Sequence, residues 1–157
     1  MSARGGERNA SLTVDNQLRE LARVNAWVHD WAEREQLPPK LVHKLDLCST
    51  EVVTNIVNHA GSDGAQRISL RLGWQGRTVA LEVEDDGERF DPRAHPAPAP
   101  ATSLREARVG GWGIPIVRHF SDGLRWRHEG GRNHLTLLFR ASAPAHPATP
   151  TSSTTEE

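Results

Sequence analysis

The sequence predicts an α+β domain, a two-layer sandwich with helices on one face of a mixed, mostly antiparallel sheet. Three observations predict it. Two long stretches in the N-terminal half repeat apolar residues every three or four positions, the period of a helix with one buried side. Five shorter stretches alternate apolar and polar residues, the period of a strand with one buried face. Short glycine-containing turns separate two pairs of these stretches, which makes each pair an antiparallel hairpin.

Residues 1–10 are polar and read as a loose tail. Ser11-Leu12-Thr13-Val14 alternates and reads as a short strand. Asp15 or Asn16 is the expected N-cap of a helix reaching about Glu35. Its apolar stripe is Leu18, Leu21, Val24, Val28 and Trp31. Leu37-Pro38-Pro39 breaks this helix, and Pro39 suits the first turn of the next. That second helix runs to His59 or Ala60, with Gly61 as its natural stop. Ile68, Leu70, Leu72 and Trp74 alternate, as do Val79, Leu81 and Val83, around a turn at Gln75-Gly76-Arg77. Residues 92–109 are rich in Ala and Pro without periodicity, as in a functional lid or a disordered loop. A third helix spans about Ile114 to Phe120. Leu124, Trp126 and His128, then Leu135, Leu137 and Phe139, form a closing hairpin around Gly130-Gly131. Residues 141–157 lack bulky apolar side chains and read as a disordered tail, which leaves 11–140 as the domain.

The 157 residues suffice for one domain with its own core. A net charge of −1 points to neither nucleic acid nor an anionic membrane. Lys40 and Lys44 are the only lysines, so a phosphate site here must use backbone amides or arginine. Cys48 is the sole cysteine, which excludes an internal disulfide and fits a reducing compartment. It reads as half-buried packing rather than a nucleophile. The polar N-terminus shows no signal peptide, and no apolar run reaches the roughly 20 residues of a membrane span. A cytoplasmic protein is the expectation.

Three stretches carry chemistry. On the second helix Glu51 and Asn55 lie one turn apart, beside the apolar side made by Val52, Val53 and Ile56. A carboxylate and a carboxamide so placed can accept a proton and ligate a hard cation. Thr54, Asn58 and His59 are expected to face away from the core, with His59 most simply a structural histidine. Alone, the pair is more often a solvated helix shoulder. Next, the strand ending in Asp85-Asp86-Gly87 sets a carboxylate at the end of the sheet, able to accept from an exocyclic amine, with Gly87 allowing close approach. An ordinary acidic turn is the plain alternative. Last, Gly110-Gly111-Trp112-Gly113 precedes the helix opening at Ile114 and presents backbone N–H groups to a polyphosphate. A hinge is its plain alternative. Asn133 reads as a turn residue.

Taken in order, Glu51-x-x-x-Asn55, Asp85-x-Gly87 and Gly111-x-Gly113 resemble the nucleotide-binding boxes of the GHKL, or histidine-kinase-like, ATPases with the Bergerat fold. TEVVTNIVNHA, DDGERFDP and GGWGIPIVRHFSD, followed by GGRNHLTLLF, look like the anti-sigma-factor serine/threonine kinase branch related to RsbW and SpoIIAB. The resemblance spans about 11–140. It implies Glu51 as catalytic base, Asn55 as Mg²⁺ ligand and Asp85 with Gly87 at the adenine. It also implies Gly111, Gly113 and Ile114 on the phosphate side, with 92–109 as the ATP lid. Arg89 stands where many members carry a second glycine. The implied cofactors are ATP or ADP with Mg²⁺. The implied partners are a sigma factor and its STAS-type antagonist, and a homodimer is compatible with the resemblance. The implied activity is transfer of the γ-phosphoryl to a Ser or Thr of the antagonist. The alternatives are a nucleotide-dependent partner switch without transfer, and an ATPase using water at the same glutamate.

Overall fold

The computed structural model describes residues 8–59, 67–94 and 113–141. In chain order the elements are β1 (Ala10–Asp15), a 3-10 turn (Leu18–Glu20), α1 (Leu21–Arg34), α2 (Pro39–His59), β2 (Arg67–Gln75) and β3 (Thr78–Asp85). A second 3-10 turn (Pro92–Ala94), α3 (Gly113–Phe120), β4 (Gly123–Glu129) and β5 (Arg132–Arg140) follow. The strands form one sheet in the order β1-β2-β3-β5-β4. Every pairing among the described residues is antiparallel, with no parallel component of the kind the sequence allows for.

Strand period and register together decide what the helices cover. Leu12, Leu70, Val83, Leu135 and Trp126 form one cross-strand row, and Val14, Ile68, Asp85, Asn133 and His128 the next. Both rows sit on the helix side, so three polar residues, Asp85, Asn133 and His128, continue an apolar face at one end of the sheet. The α2 helix packs against α1, α3 and β3. Its stripe of Leu41, Leu45, Cys48, Val52 and Val53 is buried. Each such side chain contributes about 1.5–3 kcal/mol of burial free energy, and this anchors the helix bearing Glu51 and Asn55.

The start of α1 differs from the sequence expectation. Asp15 still pairs with Arg67 in the sheet, so neither it nor Asn16 caps a helix. The chain turns through Leu18–Glu20, and α1 begins at Leu21 with Glu20 at the cap position and no side-chain cap bond. This rotates Leu18 off the stripe and leaves it 51% exposed. The N-terminal boundary lies earlier than the alternation suggests: Ala10 pairs with Leu72, and Arg8 bonds to Glu35. At its other end α1 closes with Gln36 in the left-handed region at φ 54° and Leu37 N–H donating to the Ala32 carbonyl. Two hairpins turn on glycines with positive φ, Gly76 in one and Gly130-Gly131 in the other. No described helix is long and apolar enough to cross a membrane.

Candidate nucleotide site

Between α2 and the polar end of the sheet lies a cavity that opens partly to solvent. Four elements meet there: α2 through Asn55, β3 through Asp85, β5 through Asn133 and β4 through Trp126. The loop after β3 closes one side with Gly87 and Phe90, and Ile114 enters from α3. Asp85 and Asn133, 48 positions apart in sequence, are brought together because register places them opposite one another, with His128 opposite Asn133 in turn.

The Asp85-Asp86-Gly87 turn is resolved into two different carboxylates. Asp86 is exposed, whereas Asp85 is buried at 8% exposure. One oxygen of Asp85, Oδ1, accepts from Gly87 N–H at 2.9 Å and from Asn133 Nδ2 at 3.2 Å. That leaves Oδ2 for a ligand donor. Burial pushes the Asp85 carboxyl above its ordinary range, against the opposing pull of the Asn133 and Gly87 bonds. Gly87 is held to glycine by space: a Cβ there would lie 2.8 Å from Asp85 Oδ1.

Asn133 is not the turn residue the sequence suggests. It is 5% exposed, on β5, and its amide organises the whole 85–90 segment. Besides Asp85, Nδ2 donates to the carbonyl of Glu88 at 2.7 Å, and Oδ1 accepts from Phe90 N–H at 3.1 Å. One signal for this was present, since Asn133 is in phase with Leu135, Leu137 and Phe139, the buried side of its strand. Arg89, in place of a glycine, also finds a use. Its guanidinium lies 5.4 Å from the Trp126 ring, and that of Arg93 lies 5.5 Å away. These cation–π contacts lay the loop and the Pro92–Ala94 turn onto β4.

On α2 the structure separates residues that the sequence treats alike. Asn58 and His59 are exposed as expected, but Thr54 is buried, because the helix is covered on that side as well. His59 stacks on Phe90 with ring centroids 4.4 Å apart, joining the end of α2 to the loop across the cavity. Cys48 is fully buried rather than half-buried, and desolvation pushes its thiol up to about 12, so it packs and does not react. Asn55 is 5% exposed and its buried Nδ2 has no partner. Glu51, one turn earlier, is half-buried, and burial raises its carboxyl above the ordinary value. It does not line the cavity. Gly113 is the first residue of α3, while Gly111 and most of the 92–109 segment lie outside the described residues.

An adenine nucleotide fits this donor set. The cavity wall is mostly apolar, with the Asp85 carboxylate and the Asn55 amide among its few polar groups. The described residues contain no cluster of three His, Cys, Asp or Glu side chains that could hold a metal alone. A Mg²⁺ held by one protein oxygen, phosphate oxygens and water suits such a site, and Asn55 can offer that oxygen.

Comparison with known proteins agrees with this geometry. Residues 14–139 match the histidine kinase-like ATPase domain family, and the chain belongs to that family. It is similar to the serine/threonine-protein kinase BtrW of Bordetella bronchiseptica, 38% identical over 119 residues, covering 75% of this chain and 83% of that protein. Its fold is similar to the crystal structure of the RsbU and RsbW domains of Rv1364c from Mycobacterium tuberculosis, at TM-score 0.64 and 20% identity. That alignment covers 87% of this chain, which spans 33% of the longer one.

Proposed function

We propose that this protein is an ATP-dependent serine/threonine kinase of the anti-sigma type, acting in the cytoplasm. It transfers the ATP γ-phosphoryl to a Ser or Thr of a STAS-type antagonist and holds a sigma factor when not so engaged. The observation that carries the reading is the cavity in which α2 presents Asn55 opposite Asp85, with Gly87 and Asn133 fixing the carboxylate. The likeness to a named serine/threonine kinase supports the transfer step. In this reading Asp85 Oδ2 accepts from the adenine amine, and Gly111, Gly113 and Ile114 lie along the phosphates. Asn55 gives its amide oxygen to Mg²⁺. Bound Mg²⁺ neutralises phosphate charge during transfer. Glu51, its carboxyl raised by burial, takes the proton of the acceptor hydroxyl, help typically worth about 10²–10⁴-fold in rate.

A second reading, a switch that binds nucleotide without transfer, has one observation on its side: Glu51 is not among the residues lining the cavity. Labelled γ-phosphate transfer to the antagonist, measured alongside nucleotide affinity, separates the two. Glu51→Gln should bind Mg-ATP near normally and lose transfer by at least about 100-fold. Asn55→Ala should lose both. Wild-type protein that binds its antagonist and never phosphorylates it leaves the switch. Steady release of ADP without any partner selects an ATPase.

A further inference from the structure

Asp85 is the last residue of β3 and Asn133 stands near the start of β5, so the pair on which the reading above depends closes the ladder between the two strands. The ends of a ladder open more readily than its middle. On the cavity face the bond from Asn133 Nδ2 to Asp85 Oδ1 crosses between the strands. The outer face carries a second tie at the same place. Side chains alternate across a strand, so Glu84 points away from the helices, as do Arg132 and His134 on either side of Asn133. Glu84 stands opposite His134 and diagonal to Arg132. Its two carboxylate oxygens are divided between them: Arg132 Nη1 donates to Oε1 at 2.6 Å, and His134 Nδ1 lies 3.4 Å from Oε2. Residues 84–85 and 132–134 are thus joined through both faces of the sheet. The next charge pair on the outer face, Arg71 with Glu82 at 3.7 Å, joins β2 to β3 and lies away from this strand end.

We propose that Glu84 and Arg132 are positioning residues for base recognition, whose clamp on the outer face keeps Asp85 opposite Asn133 and its carboxylate set in the cavity wall. This rests on the reading in which Asp85 Oδ2 accepts from the adenine amine. Neither residue lines the cavity. Their effect reaches it through the strands, since Glu84 precedes Asp85 directly and Arg132 precedes Asn133. Without the clamp the terminal pair opens part of the time, and each opening takes the carboxylate out of place. That weakens the bond to the amine and leaves contacts to the purine ring and phosphates as they were.

The test measures, by calorimetry on the full chain, the affinities of ADP and of purine riboside diphosphate, which lacks the C6 amine. The proteins are wild type, Glu84→Ala, Arg132→Ala and the double variant, and the readout is the preference for ADP. A cross-strand charge pair of this kind should change that preference about threefold. We expect such a fall in each single variant, with the affinity for purine riboside diphosphate unchanged. The double variant should lose no more than either single one, because all three remove the same clamp. Glu84→Gln, which keeps an oxygen for Arg132, should retain most of the wild-type preference, and Arg71→Ala should match wild type. An unchanged preference in both single variants overturns the proposal. So does an equal loss on both ligands, which marks a general loosening of the fold, or a fall of the same size in Arg71→Ala, which marks mere loss of charge on that face. The Arg132 side chain is 56% exposed, so Arg132→Ala carries the test even if Glu84→Ala folds poorly. Wild type that binds both nucleotides equally removes the reading of the amine by Asp85 itself, an outcome distinct from loss of the clamp.

Discussion

At Asp85 the proposed function works against stability. A carboxyl at 8% exposure, with burial as the largest influence on it, is held above its ordinary range. The folded chain therefore binds this proton more tightly than the unfolded chain does. The stability Asp85 contributes is fully present below the ordinary carboxylate value of about 3.9 and is lost as pH rises through its higher folded value. Asparagine at this position still offers Oδ1 to Gly87 and Asn133 but has no charge to bury. Hence the ligand-free melting temperature of Asp85→Asn, relative to wild type, should climb as pH goes from about 3 to 7. Its stabilisation by ADP should shrink at the same time, because the acceptor for the amine is gone. Melting curves across that pH range check both. A difference that stays flat with pH would mean that the buried carboxylate carries no such burden.

At the scale of elements, the polar ends of β3 and β5 act as one unit through Asn133. Its amide joins Asp85, Glu88 and Phe90, so it ties the loop carrying Gly87 and Arg89 to the sheet. Asn133→Ala takes the partner from the part-buried Phe90 N–H and Glu88 carbonyl and from the buried Asp85 carboxylate. We expect a loss of about 2–3 kcal/mol by denaturant unfolding, with weaker nucleotide binding as Asp85 loses its orientation. A cost below about 0.5 kcal/mol would show that the loop holds itself. Most of this architecture was legible in the sequence. The helix period placed Asn55 on the shoulder of a buried stripe, and the strand running into Asp85-Asp86-Gly87 placed a carboxylate where the sheet ends and the chain turns. Asn133 was missed because it follows Gly130-Gly131 and so resembles a turn residue. Its role comes from pairing with Asp85, 48 residues away, and register is not visible in periodicity. The cap of α1 was missed for a related reason: β1 keeps Asp15 for the sheet, a tertiary choice that overrides a local capping preference.

At the scale of the whole molecule, the cavity wall draws on α2, α3, β3, β4 and β5, so a nucleotide bound there as proposed would touch both the helix layer and the sheet. The unfolded chain has no such wall. A ligand that binds only the folded state adds RT ln(1 + [L]/Kd), about 2.7 kcal/mol at a free concentration 100 times Kd. For a domain of this size that is a rise in melting temperature on the order of 10 °C. The chemistry of the wall also orders ligands against one another. ADP carries the amine that Asp85 is proposed to accept, whereas purine riboside diphosphate keeps the ring and phosphates and lacks the amine. Binding it leaves the buried Asp85 oxygen desolvated without a donor, a cost of about 1–3 kcal/mol. At equal concentration purine riboside diphosphate should therefore raise the melting temperature by clearly less than ADP. Equal shifts would mean that the phosphates alone hold the nucleotide and that Asp85 reads nothing. A shift from ADP that is lost in Asp85→Asn, while the shift from purine riboside diphosphate is unchanged, would locate the selectivity at that one carboxylate.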